Sequence, residues 1–153
     1  MTADAREAVR RAQPGRTSRG AVVATAGTLA VAASSFLPWA ESGAATRTSY
    51  ELVRAAERLD VVTGSAATAA RAWYLVPLLA VGTWVGTALG RPLAVAALAT
   101  VVALATVALV LAVKGSPLRS DVGTVAAVVS AAVAAIGASV AVGERARRGR
   151  GRR

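Results

Sequence analysis

PLAVAALATVVALATVALVLAV, residues 92–113, runs for twenty-two residues without a charge. As an α-helix rising about 1.5 Å per residue it reaches roughly 33 Å, the thickness of a bilayer's hydrocarbon core. Its valines and threonines would suit strands in water. The length of the run and the lack of strict alternation favour a helix, the form that satisfies its own backbone hydrogen bonds in lipid. Arg91 and Lys114 bracket it.

Three other stretches share this character: residues 20–37, 72–89 and 122–142, each uncharged. Together the four dominate a chain of 153 residues that is 55% hydrophobic, 17% charged and only 4% aromatic. Its mean hydropathy is +0.53. Alanine and valine supply most of the apolar content. Such small side chains fill a water-soluble core poorly, but they let helix backbones approach closely in lipid. The expected fold is therefore all-α: an integral membrane bundle of four transmembrane helices with a short amphipathic outer helix. The expected spans are 20–39, 71–90, 92–113 and 122–142. A basic segment (1–19) precedes them and a basic tail (143–153) follows. An outer loop covers 114–121. Ala30-Val31-Ala32 also resembles a signal-peptidase site, but the apolar run continues past it, so an uncleaved first span is expected.

The net charge is +10 and the charges are segregated. With both termini in the cytoplasm, five N-terminal arginines, Arg91 and six C-terminal arginines lie inside, twelve in all, against six basic residues outside. The positive-inside rule favours that orientation, in the cytoplasmic membrane of a bacterium. The basic ends read as orientation signals, with the tail against anionic lipid headgroups; nucleic acid is not the expected partner.

Residues 40–70 are the one sizeable polar piece. Thr48-Ser49-Tyr50-Glu51 fits a capping box and predicts a helix over 49–61 with Leu52, Ala55, Ala56, Leu59 and Val62 on one face. So short a helix must rest on something. Leu52, Arg54, Arg58 and Leu59 are the candidate partner-facing residues. Trp39, Trp73 and Tyr74 fall where the first two spans meet the outer headgroups and are expected to anchor there. Gly90-Arg91-Pro92 predicts a tight hairpin between the second and third spans. Pro77 is expected to kink the second span, and Gly82 and Gly86 to offer a small-residue face.

The chain has no cysteine and no histidine. Common nucleophilic, general-base and transition-metal chemistry loses its usual residues, and no catalytic residue, cofactor or metal is expected. No ionisable residue falls inside a span, which argues against proton-coupled transport.

Phe36-Leu37-Pro38-Trp39, Ser42-Gly43, Arg47, Ser49-Tyr50-Glu51-Leu52 and Trp73-Tyr74-Leu75-Val76-Pro77 together resemble a group of small actinobacterial membrane proteins of unknown function, with four spans and an outer loop after the first. There is also a looser similarity to the tryptophan-associated transmembrane proteins of the same bacteria. The resemblance implies a membrane address and brings no binding residues with it. The expected role is accessory or structural: the chain presents its outer segment to a membrane-protein partner or a second copy. The alternative is a pore or carrier for a neutral or lipidic solute, lined by Ser34, Ser35, Thr83, Trp84 and Thr87.

Overall fold

Ser18 opens the first helix, α1 (Arg19–Ser34), by accepting a hydrogen bond from the Ala21 amide on its hydroxyl. The computed structural model describes residues 18–42, 45–58, 70–114 and 119–150. After α1 come strands β1 (Pro38–Ser42) and β2 (Ala45–Thr48), then α2 (Ser49–Arg58). A 3-10 turn at Trp73–Leu75 leads into α3 (Val76–Ala88). Then follow α4 (Pro92–Lys114), β3 (Arg119–Ser120) and α5 (Val122–Arg150). The chain is mostly helical, as expected, but it also carries a three-stranded antiparallel sheet in the order β2-β1-β3 that its sequence did not announce.

Among the described residues two helices, α4 and α5, are long and apolar enough to cross a membrane, with mean hydropathies of 2.6 and 2.3 over their most apolar stretches. Only 39% and 33% of those stretches are buried. The core helix of a water-soluble protein would be mostly enclosed; these face outward. The other two expected spans are shorter as helices. Helix α1 has 16 residues and α3 has 13. The first stops at Ser34 because Ser34 and Ser35 turn their hydroxyls back onto the carbonyls of Val31 and Ala32, after which Pro38 begins a strand. In the second, helical residues 70–72 pass through the 3-10 turn at 73–75 into α3, so the regular helix is interrupted just before Pro77. Pro77 itself sits in the first turn of α3, where a missing amide costs little. The outer helix forms over 49–58; residues 59–61 of its expected range, Leu59 among them, lie outside the described residues.

At the foot of α3 the chain reverses through Gly90, which has φ 64°. Arg91 N–H bonds the Gly86 carbonyl at 2.8 Å and Gly90 N–H bonds Thr87 at 3.1 Å, the paired bonds of a Schellman cap. The resulting α3–α4 hairpin packs Gly86 against Val95 and Gly82 against Leu98, so the small-residue face of α3 meets α4. The most extensive helix pairing is between α1 and α5. It runs along a seam of Gly20, Ala24 and Gly27 against Ala134, Gly137 and Ala141.

Between α1 and α3 the seam is polar. Thr28 Oγ1 and Thr83 Oγ1 lie 2.7 Å apart, as do Thr25 Oγ1 and Thr87 Oγ1. Each threonine also reaches a backbone carbonyl: Thr25 that of Thr83, Thr28 that of Thr25, Thr83 that of Ala80, and Thr87 that of Ala21. A side-chain hydrogen bond of this kind contributes about 1 kcal/mol net. Thr83→Val should therefore destabilise the protein by about 1 kcal/mol in a detergent unfolding titration. The double variant Thr28→Val/Thr83→Val should cost less than the sum of the singles, because each single already removes the one contact between the two hydroxyls.

Candidate functional site

The sheet and α2 sit together at one end of the helices and form a cap there. Its centre is a bulge. Pro38 pairs with Thr48 and Ala40 with Arg47, so Trp39 has no partner in β2. A bulge twists the strand and re-aims the extra side chain. Here the indole goes inward, and Trp39 is 0% exposed. Its N–H donates to the Ser34 carbonyl at 2.8 Å, at the end of α1. Its own carbonyl accepts from Asp121 N–H and from the Thr124 hydroxyl, which ties the cap to the start of α5. Gly123 leaves room for this approach, since a Cβ there would meet Trp39 Cδ1 at 2.5 Å. Strand β3 joins the same arrangement by pairing with Ala40 and Glu41.

Trp73 meets Trp39 edge to face, with ring centroids 5.4 Å apart at 70°, and is itself 1% exposed. Its indole N–H donates to Ser49 Oγ at 3.0 Å, and the Ser49 hydroxyl donates on to the Ser35 carbonyl at 2.8 Å. A buried relay thus links the entry of α3, the first residue of α2 and the end of α1. The capping box forms beside it: Glu51 accepts from Thr48 N–H at 2.8 Å, and Glu51 N–H reaches Thr48 Oγ1 at 3.4 Å. Because Ser49 is fixed from below, α2 seats on Ser49 and Val53, its buried residues. Leu52, Ala55 and Ala56 are half-buried at the flanks, not the centre as the 3-and-4 spacing suggested.

Outside this buried pair runs a second set of rings. Phe36 and Tyr50 are 5.3 Å apart, and Tyr50 stacks on Tyr74 at 5.7 Å and 20°. The Tyr50 hydroxyl lies 3.1 Å from Ser35 Oγ. Phe36 is 64% exposed, and Leu37, Tyr74 and Leu75 are exposed beside it. The cap's charged residues Glu51, Arg54 and Arg58 also face out, and Arg71 Nε pairs with Glu57 Oε1 at 3.1 Å. An exposed pair of this kind adds little stability.

The expected site residues therefore separate. Of the three anchors, Tyr74 is at the surface, while Trp39 and Trp73 are enclosed and hold the cap to the helices instead of touching solvent or lipid. Arg54 and Arg58 are exposed and Leu52 is half-buried. The five solute-lining candidates are not brought together: Ser34 and Ser35 bond the end of their own helix, Thr83 and Thr87 pair with α1, and Trp84 points outward with 60% of its surface exposed. Phe36, Tyr50, Ser49 and Val53 were missed. Phe36 borders the anchor motif and Tyr50 stands inside the capping box, so their position was visible but their contacts were not. Among the described residues no group of three or more acidic, histidine or cysteine side chains is placed to hold a metal. No protein-family model, curated protein or solved structure matches the chain.

Proposed function

We propose that this is an accessory membrane protein, spanning the bilayer four times with both termini in the cytoplasm, whose outer cap docks a neighbouring membrane protein. The observation that carries the reading is the way an apolar girdle ends at the exposed rings. Large apolar side chains face outward on every long helix, among them Leu29, Leu78, Leu104 and Ile136. A water-soluble monomer rarely exposes apolar surface on that scale. The girdle stops at Phe36 and Tyr74, and above it stands a polar cap held by buried hydrogen bonds. The turn 35–37 and the 3-10 turn 73–75 lengthen the two shorter helices toward a full span. Arg19, Arg91 and the arginines of residues 145–150 lie at the other end, which the positive-inside rule assigns to the cytoplasm.

Rings that the core does not need, on a preorganised support at headgroup level, suit sideways contact with another membrane protein, since aromatic residues concentrate at the centres of interfaces. Reporter fusions should be active on the outer side at positions 45 and 117 and inactive there at 90 and 153. A photo-crosslinker at position 50, at the centre of the ring ridge, should yield one discrete protein adduct in cells. The same probe at position 104, on the lipid-facing side of α4, should yield none. Equal labelling from both positions, or lipid adducts only, would remove the docking role.

A further inference from the structure

At the end opposite the cap, a recess of about 310 Å³ opens between the start of α1, the start of α4 and the last turns of α5. A smaller lobe of about 120 Å³ adjoins it and reaches Thr87, Gly90 and Arg91. Ser18, Pro92, Arg145 and Arg148 line both. The floor is apolar, with Ala141 and Pro92, and the rim carries Arg91, Arg145 and Arg148. Among the described residues Arg91 and Arg145 have no carboxylate partner. Arg148 Nη2 stands 3.8 Å from Glu144 Oε2, an ion pair too long to be a hydrogen bond. Three arginines against one glutamate leave the rim at a formal +2. One further atom stands out. Glu144 Oε2 is buried and has no hydrogen-bond partner, and such atoms are rare in folded proteins because each forfeits its solvation.

We propose that this recess binds an anionic phospholipid of the inner leaflet whose headgroup carries hydroxyls, of the phosphatidylglycerol type. The proposal rests on the membrane reading above, which places the recess at the inner headgroup level. Each part of such a lipid has a counterpart. The phosphate meets the guanidinium groups of Arg91, Arg145 and Arg148, which bind phosphate through paired, charge-assisted N–H donors. The glycerol backbone lies on the apolar floor. A headgroup hydroxyl donates to Glu144 Oε2 and satisfies it. A free phosphate ion would use the arginines but leave the apolar floor unused. Basic recesses between membrane helices on the cytoplasmic side are where anionic headgroups are held.

The test uses the full chain in neutral phosphatidylcholine nanodiscs, titrated with fluorescent phosphatidylglycerol or phosphatidic acid. Arg145→Gln/Arg148→Gln should weaken phosphatidylglycerol binding about tenfold or more. Arg147→Gln/Arg150→Gln removes the same charge from the same tail outside the recess and should change it less than about twofold, because each arginine lost there forfeits only screened, surface attraction. Arg91→Gln, on a different segment, should weaken binding as well. Glu144→Ala should abolish the preference for phosphatidylglycerol over phosphatidic acid without weakening phosphatidic acid binding. Equal losses from the two arginine pairs would reduce the recess to diffuse tail charge. Displacement of the lipid by millimolar inorganic phosphate would make it a free-anion site. Either result overturns the proposal while leaving the membrane reading intact; failure of the chain to enter neutral nanodiscs would overturn that reading instead.

Discussion

Replacing Gly137 by valine should unfold the seam between α1 and α5 and cost the protein more than about 3 kcal/mol, enough to remove most of a typical protein's stability. A Cβ at position 137 would overlap the backbone of Ala24, coming within 2.7 Å of its Cα and 2.8 Å of the Val23 carbonyl carbon. No rotamer relieves this, because the opposing atoms are main chain. The same contact is repeated along the seam: a Cβ at Gly20 meets the backbone of Ala141 and the Gly137 carbonyl oxygen, and one at Gly27 meets the backbone of Ala134. Relief therefore requires the two helices to part along their length, which gives up the dispersion contacts that hold helices together in lipid. Gly143→Val is the internal control. It lies in the same helix, carries the same change in helix propensity, and has nothing within 4 Å of its added Cβ. The variant at 143 should unfold at the same denaturant concentration as the parent protein in mild detergent, whereas the variant at 137 should fail to yield a monodisperse species. Equal stability of the two would mean that the seam is not the principal contact of the fold.

That seam could not be read from the sequence. In α1 and α5 most residues are alanine, valine or glycine, so small residues four apart occur on every face. In α5 the buried line runs through Gly123, Ala127, Ala131, Ala134, Gly137, Ala138 and Ala141, while Ala135, four residues past Ala131 and equally small, is exposed. The stripe in α1 gave no signal above this background. Where chemistry is local, the sequence was explicit. The capping box at Thr48 and Glu51, the Gly90 reversal and the start of α4 at Pro92 each follow from one or two side chains acting on their own backbone. Helix α5 runs on past the expected end at Val142 to Arg150, because nothing in its basic tail stops a helix. The strands are a different case. At five, four and two residues they have no periodicity to read; they exist because Trp39, buried elsewhere, holds β1 in place. Trp39 and Trp73 stand beside the ends of apolar runs, and there a tryptophan facing lipid and one facing its own fold share the same position in sequence. Only the partners of the indole N–H, supplied by Ser34 and by Ser49, distinguish them.

Those partners make the tryptophan pair the second place where one side chain decides much of the structure. Trp73→Ala should cost about 3–5 kcal/mol, the usual range for deleting an enclosed aromatic. The loss should be local, with the cap released while the helices remain. Trp73 joins the start of α3 to Ser49, and Ser49 joins α2 to the end of α1; beside it only the half-buried Tyr50 hydroxyl, at Ser35, ties α2 to that helix end among the described residues. Limited proteolysis should then cut within residues 40–58 in the variant and spare them in the parent. Trp73→Phe keeps an edge-to-face ring on Trp39 but removes the N–H, leaving Ser49 Oγ short of a donor, and should cost about 1–2 kcal/mol. Trp39→Ala should match Trp73→Ala, and the double variant should cost less than the sum by about 0.5–1.5 kcal/mol, the coupling of an aromatic pair. Fluorescence supplies a readout independent of stability. Trp84 is outward and Trp39 and Trp73 are enclosed, so brominated lipid should quench the Trp84 emission alone in the parent protein. In Trp73→Ala the Trp39 emission should become quenchable too, because its ring partner is gone and the bulge can swing out. If brominated lipid quenches Trp39 and Trp73 in the unaltered protein, the pair faces the bilayer and the cap is not anchored through it.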